Sequence, residues 1–366
     1  MTKRILQIIP TLDRTGAQQQ MNLLARGLPR PEFDVHICAL SDAGPTDIEP
    51  AEAQIPLTVI GKRWRLDPEA FRKLHCHVAR LRPDLIHSWL FEANAYAHAV
   101  SRTCGVQRLV VNQRFVDPRK SRLESAVDRH IARRCRAVVV ASPAMRDFYT
   151  AGGLPIEKIR VIPGGIRQSE PDGTTRRQLL DELGLPESSR LIGYVGRLLP
   201  RKRVKDAIWA TDLLKVIRDD VHLLILGDGP HCNRLHKFRD QVEIRDKVHF
   251  LGQRNDVARI MPHFDVLLST AEYGGQSVAV MEAMAAAVPV VATATAGTGE
   301  LVEHDRTGYL VPVGSRAEIA KHANYLLNDP ERAERFGLAG RQRMLDHFGA
   351  DAMIQQYVQL YRELLG

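Results

Sequence analysis

The chain has 366 residues, 44% apolar and 26% charged, which excludes general disorder and suits about two globular domains. Its five cysteines (Cys38, Cys76, Cys104, Cys135 and Cys232) are scattered without a paired spacing, as expected of reduced thiols in a cytoplasmic protein, and no metal-ligand cluster accompanies them. The net charge of +8 is uneven: residues 1–165 hold 25 Lys/Arg against 16 Asp/Glu, and the remainder is nearly balanced. Eight basic and three acidic residues fall between Arg114 and Arg136. That run suits either a solvated arginine-rich face or peripheral contact with an anionic membrane. The aromatic interleaving of a nucleic-acid platform is missing, so no nucleic-acid partner is expected.

A strand-like run, "RILQIIP", begins almost at once, and no signal peptide is expected. Short β-rich runs follow at "FDVHICAL", "DLIHSW", "RLVVNQ", "AVVVAS" and "KIRVIP", with helical patterns between them such as Pro68–Leu81 and Arg119–Cys135. After a looser stretch from Gly164 to Ser189 the alternation restarts at "RLIGYVG" and runs through "VHLLILG", "KVHFLG", "DVLLST", "VPVVAT" and "TGYLVP". The apolar region Val278–Ala296 contains Glu282 and Pro289 and reads as a buried helix followed by a buried strand. Repeated strand–helix units predict two α/β domains, each a doubly wound parallel sheet. The predicted boundaries are 1–165 and 166–349, with a last helical pattern at about 350–366. Ligands in such sheets bind beyond the carboxyl ends of the strands, so the expected site is a cleft between the two domains.

Two segments carry chemistry. "YVGRLLPRKR" places Arg197 and Lys202 directly after a strand, where a fork and a point charge can meet phosphate oxygens. "DVLLSTAEYGGQSVAVMEAMAAAVPVVAT" reads as strand, glycine turn, helix and strand. The amides of Gly275, Gln276 and Ser277 would open that helix towards an anion, and Glu282 one turn on could accept the hydroxyls of a ribose. No acidic pair follows a strand in a position to hold a metal; Asp219-Asp220 precedes one.

These residues resemble the family-4 retaining glycosyltransferases of GT-B fold. The likeness rests on "GRLLPRKR", "GDGP", "VHFLG", "QSVAVMEAMAAAVPVVAT" and "GELVEHDRTGYLVP" in the family's order, and more loosely on "TGAQQQ", "PDLIHSW" and "VIPGGI". The resemblance implies transfer from a nucleoside-diphosphate sugar, with retention and without a metal or other cofactor, to an acceptor that the sequence does not identify (a glycan, a lipid-linked molecule or a small molecule), and a last helix, about 350–366, that returns to the first domain. It implies that Arg197 and Lys202 hold the diphosphate, with Gly16 and the turn Gly275–Val278 against it. It further implies that Gln253 and Arg254 meet the nucleobase, and Glu282 the ribose.

Four positions depart from the pattern. Eight residues before Glu282 the family has a second glutamate where this chain has Gly274, with Glu272 nearby as a substitute on the sugar side. A frequent histidine is replaced by Arg114, which cannot serve as a base. Gly164 and Arg167 stand where the family favours Asn and Asp. His87, at a strand end, is a candidate for contact with sugar or acceptor. A non-catalytic nucleotide- or glycan-binding protein and a sugar-nucleotide epimerase of the same fold remain open alternatives.

Overall fold

The computed structural model describes residues 2–13, 15–41, 55–168 and 173–366. The chain divides into two compact units, Met1–Gly165 with Ala350–Gly366, and Ile166–Gly349.

The first unit is built on seven parallel strands: β1 (Lys3–Ile9), β2 (Phe33–Ala39), β3 (Leu57–Val59), β4 (Leu85–Trp89), β5 (Leu109–Gln113), β6 (Ala137–Val140) and β7 (Ile159–Val161). They lie in the order β3-β2-β1-β4-β5-β6-β7, so the winding direction reverses between β1 and β4. The second unit has six: β8 (Arg190–Val195), β9 (Val221–Leu226), β10 (Val248–Gly252), β11 (Val266–Ser269), β12 (Val290–Thr293) and β13 (Gly308–Val311). Their order, β10-β9-β8-β11-β12-β13, reverses between β8 and β11. Central strands such as β4, β5, β6 and β9 are buried along their whole length, because helices cover both faces of a parallel sheet.

Local chemistry sets the helix ends. The helix Pro68–Leu81 starts where Asp67 accepts the Ala70 N–H and proline occupies the first turn. The helical pattern over Arg119–Cys135 begins later, at Arg122, because Ser121 and Glu124 form a reciprocal capping box. A second such box, Thr175 with Gln178, opens a helix at Arg176–Leu183 that Gly184 closes, inside the stretch read from sequence as loose. Among the described residues, no helix is long and apolar enough to cross a membrane.

The last helix, Ala350–Leu365, packs on the helix Gly16–Gly27 and on the first sheet. Its Tyr357 and Tyr361 are fully buried and meet polar side chains of β1, β4 and β5. The Gln7 amide donates to the Tyr361 hydroxyl (3.1 Å), which lies 2.6 Å from Nδ1 of His87, and the Trp89 indole donates to Gln7 Oε1 (2.6 Å). The Asn112 amide donates to the Tyr357 hydroxyl at 2.7 Å. Each of these buried polar atoms would be costly without its partner.

The first unit's chain is fastened where it leaves and re-enters. The Gln20 side chain accepts the Gly165 N–H (2.7 Å) and donates to the Gly165 carbonyl (2.8 Å). A Cβ on Gly165 would lie 2.8 Å from the Ala350 Cα. Gly164 does not have a positive φ; the need for glycine here is steric and falls on Gly165.

Replacing Tyr361 by Phe strands His87 Nδ1 and the Gln7 amide in the core. The first unit should lose about 2–3 kcal/mol of stability in a urea titration. A loss under about 0.5 kcal/mol, within the range of neutral surface changes, would show that the network is not structural.

Candidate functional site

In the second unit, the candidate side chains gather at the carboxyl ends of β8 and β11, where the strand order reverses. The turn after β8 is formed by backbone packing without intervening side chains. A Cβ on Gly227, whose φ is +140°, would fall 2.1 Å from the Gly196 carbonyl oxygen. A Cβ on Gly229 would fall 2.6 Å from the Leu198 carbonyl oxygen. The two glycines of "GDGP" therefore press that loop onto the "GRL" turn, with the Leu198 N–H donating to Asp228 O (2.9 Å) and the His231 N–H to Leu198 O (3.1 Å). Arg197 lies exposed on this turn, and Lys202 follows in the short helix Pro200–Lys202.

Lys202 lines a crevice of 10 Å³ with Tyr194, Ser269, Thr270, Ser277 and Ala279. Burial, with a smaller push from the like charge of Arg201, brings its ammonium down to about 8. A desolvated cation at a strand-end crevice is poised for an anion from outside the chain. Its backbone is held by the Thr270 hydroxyl, which donates to Lys202 O at 2.9 Å.

The segment after β11 completes the site. The Thr293 hydroxyl donates to Ala271 O (2.5 Å), and the Glu272 N–H donates to Arg201 O (2.8 Å). The turn Gly274–Ser277 rests on Gly297, where a Cβ would lie 2.0 Å from Gly275 O and 2.9 Å from the Gln276 nitrogen. The helix Val278–Ala285 then begins without a side-chain cap and without an acidic residue in its first turn. Its first amides are thereby left to a ligand or water, with the positive end of the helix dipole behind them. Val280, Met281, Ala283 and Met284 are buried; Val278, Ala279 and Glu282 occupy the partly exposed face, so Glu282 stands one turn above the crevice-lining Ala279.

Other residues singled out from sequence lie at this end or elsewhere. Gln253 is exposed just after β10, following Gly252 at φ +67°. The Arg254 side chain is committed: it donates to both oxygens of Asp256 (2.7 Å each) and to Glu182 (3.0 Å), and these bonds raise its pKa and depress that of Asp256. A contact with a base at this position would fall to its backbone.

In the first unit, Gly16 opens the helix after β1, where Thr15 accepts the Gln18 N–H (3.4 Å). His87 does not reach a strand-end surface. It is wholly buried within β4, tilted against Trp89 with ring centroids 4.8 Å apart, and bonded to Tyr361, and burial lowers its pKa to about 3. The expectation of sugar or acceptor contact at His87 is therefore corrected: its proximity to a strand end in sequence hid the helix that covers it. Arg114 is half-buried after β5, donates to Gln20 Oε1 (3.2 Å) and Ile162 O (3.4 Å), and lies 5.9 Å from the Trp89 ring. Its immediate partners belong to the chain, so it braces the exit segment at Gly165.

Thr270, Thr293 and Gly297 were missed by sequence reasoning. Their only signal was placement at strand ends, since a backbone-bracing threonine has no motif of its own.

Comparison with known proteins gives two family models. Glycosyl transferases group 1 matches residues 175–343, and Glycosyltransferase Family 4 matches residues 14–170. N-acetyl-alpha-D-glucosaminyl L-malate synthase of Bacillus anthracis is 31% identical over 189 residues, 51% of this chain and 49% of that protein. The chain thus spans about half the length of that relative. Alpha-D-kanosaminyltransferase of Streptomyces kanamyceticus is 25% identical over 84% of this chain and 81% of its own. Among solved structures, Anabaena HepE in complex with UDP-glucose superimposes with a TM-score of 0.87 at 22% identity, covering 98% of this chain and 99% of that one. The sucrose-phosphate synthase of Thermosynechococcus elongatus does so with a TM-score of 0.84 at 21% identity, covering 99% of each chain.

The lowered lysine gives opposite pH trends. Between about 8 and the ordinary 10.5 the unfolded chain binds more protons at Lys202 than the folded one, so ligand-free stability should rise with pH in that window. If Lys202 holds a diphosphate through its ammonium, affinity for a nucleoside diphosphate should fall about tenfold per pH unit above 8. Calorimetric titration between pH 7 and 9.5 checks this; a flat profile removes Lys202 from the site.

Proposed function

Because this chain belongs to the family-4 glycosyltransferases of GT-B fold, we propose that it moves a sugar from a nucleoside-diphosphate sugar to a glycan or lipid-linked acceptor. Transfer proceeds with retention and without a metal ion. The observation that carries this reading is Lys202: a desolvated ammonium at the strand-order reversal, in one crevice with the uncapped start of the helix Val278–Ala285.

In this reading the diphosphate of the donor lies against Lys202, Arg197 and the amides of Gly275–Val278. Glu282 accepts the ribose hydroxyls, Gln253 and the backbone of Arg254 meet the base, and Glu272 takes the sugar in place of the carboxylate that Gly274 lacks. As the bond from the anomeric carbon to the phosphate oxygen breaks, negative charge grows on the leaving diphosphate, and fixed cations and helix amides stabilise it most at that moment. With His87 enclosed and Arg114 unable to accept a proton, the acceptor hydroxyl gives its proton to the departing phosphate oxygen as it attacks the same face. Gly274 favours one other reading, a protein that binds the nucleotide without transferring.

Lys202→Ala and Arg197→Ala should each lower kcat by about 10²–10³ through lost charge stabilisation. A thermal-shift panel of UDP, GDP, ADP and their sugar conjugates identifies the donor. A ligand at a hundred times its Kd adds about 2.7 kcal/mol of stability to the wild type, and Lys202→Ala should forfeit most of it. Normal turnover in both variants would refute the site. Tight nucleotide binding with neither transfer nor donor hydrolysis would establish the non-transferring reading.

A further inference from the structure

Trp64 is exposed over 69% of its surface, Leu66 over 85% and Leu123 over 74%. Of the three tryptophans it is the exposed one; Trp89 is buried and Trp209 stacks on Phe238. These apolar tips come from two segments joined in space. Trp64 and Leu66 lie in the loop between β3 and the helix Pro68–Leu81; Leu123 lies in the first turn of the helix Arg122–Arg134; and the Arg65 guanidinium bridges to Glu124 beside it.

The loop is fastened at both feet. Lys62 gives its N–H to Leu40 O (2.7 Å), and its ammonium pairs with Glu92. Asp67 accepts the Arg63 N–H (2.9 Å), and its own N–H donates to the Tyr96 hydroxyl (2.9 Å). Between these anchors Arg63, Trp64, Arg65 and Leu66 all point to solvent. A held loop that exposes a tryptophan and a leucine has no use for them in its own core.

The charge around the tips is basic. Arg63, Arg119 and Arg122 are exposed, and the carboxylates beside them are engaged: Asp67 accepts the Arg63 N–H, Asp117 accepts the Arg119 N–H, and Glu124 is held by Ser121 and Arg65. We propose that the loop 63–66 and the first turn of the helix Arg122–Arg134 form a docking surface for an anionic lipid bilayer. Trp64, Leu66 and Leu123 enter the boundary between headgroups and acyl chains, and Arg63, Arg119 and Arg122 lie among the phosphates.

Tryptophan prefers that boundary, and arginine stems can reach past apolar contact to keep their charge at headgroup level. Exposed apolar tips ringed by arginine favour this occupant over a second copy, because two such patches face to face would bring like charges together. The surface stands at the carboxyl ends of β3 and β5, on the rim of the first sheet that also carries Gly16. Taken with the proposed transfer, on which this clause rests, it makes the acceptor's carrier a membrane lipid.

The test is cosedimentation of the full chain, without donor, on vesicles of phosphatidylcholine alone or mixed equally with phosphatidylglycerol. The wild type should bind the mixed vesicles at least about tenfold better than the neutral ones, and lose that advantage as salt screens the headgroups. The double variant Trp64→Ser, Leu66→Ser should bind at least about tenfold more weakly with an unchanged melting temperature, since exposed residues contribute little to folding. Arg63→Gln with Arg122→Gln should cost about fivefold per charge. The wild-type tryptophan emission should shift to the blue on binding, and Trp64→Phe should lose that shift. Absent binding by the wild type at low salt, equal binding by the double variant, or a wild-type dimer in sedimentation velocity that the double variant loses would overturn the proposal. None of these readouts depends on nucleotide, so failure here leaves the transferase reading untouched, and the converse holds.

Discussion

Inside the first unit, the hydroxyl of Tyr361 lies between Gln7 of β1 and His87 of β4, so a residue near the end of the chain satisfies polar groups near its beginning. Much of the first unit depends on this contact. With Nδ1 of His87 hydrogen-bonded to the Tyr361 hydroxyl, the imidazole stays neutral in the core. The neighbouring Asn112–Tyr357 pair extends the same network to β5, and Arg114 at the end of that strand leans on Gln20, which in turn holds Gly165. The segment by which the chain leaves the unit is thus positioned by the helix with which it returns.

The second unit relies on a different economy. Its site is shaped by places where backbone touches backbone: Gly227 on Gly196, Gly229 on Leu198, Gly297 on Gly275. Side chains larger than hydrogen would part these loops and move Lys202 and the start of the helix Val278–Ala285 away from each other. Threonines do the remaining bracing, through Thr270 to Lys202 O and Thr293 to Ala271 O. A cation with lowered pKa and an uncapped helix start are both costly when empty, and they persist because rigid neighbours hold them.

How far the sequence could be read follows from the range of the interactions involved. The helix Pro68–Leu81 was visible to its exact bounds because its cap, its proline and its apolar stripe are local. The helix Arg176–Leu183 was missed among polar residues, although Thr175-x-x-Gln178 and Gly184 announced both ends. Parallel sheets were legible from wholly apolar strand runs, and the glycine-rich turns from their order. His87 was misjudged because whether a strand-end residue meets solvent or a helix depends on Tyr361, 274 positions away in the chain. The commitment of Arg254 to Asp256 and Glu182 was equally invisible, since Glu182 lies 72 positions earlier. The pairing of Arg65 with Glu124, which joins two exposed apolar segments, is another contact of that long-range kind.

The insertion of residues 166–349 between the body of the first unit and its last helix has a consequence for biosynthesis. A ribosome delivers the sheet β1–β7 early, with Gln7, His87 and Asn112 facing a gap that only residues after Gly349 can fill. The usual order, in which the N-terminal unit is finished first, is reversed here. The second unit holds all its strands and can close while the first still waits with an uncovered apolar groove and unanswered hydrogen-bonding groups. The nascent first unit is therefore the stage at which a chaperone has something to hold, and a chain interrupted within its last helix would carry that unfinished surface permanently.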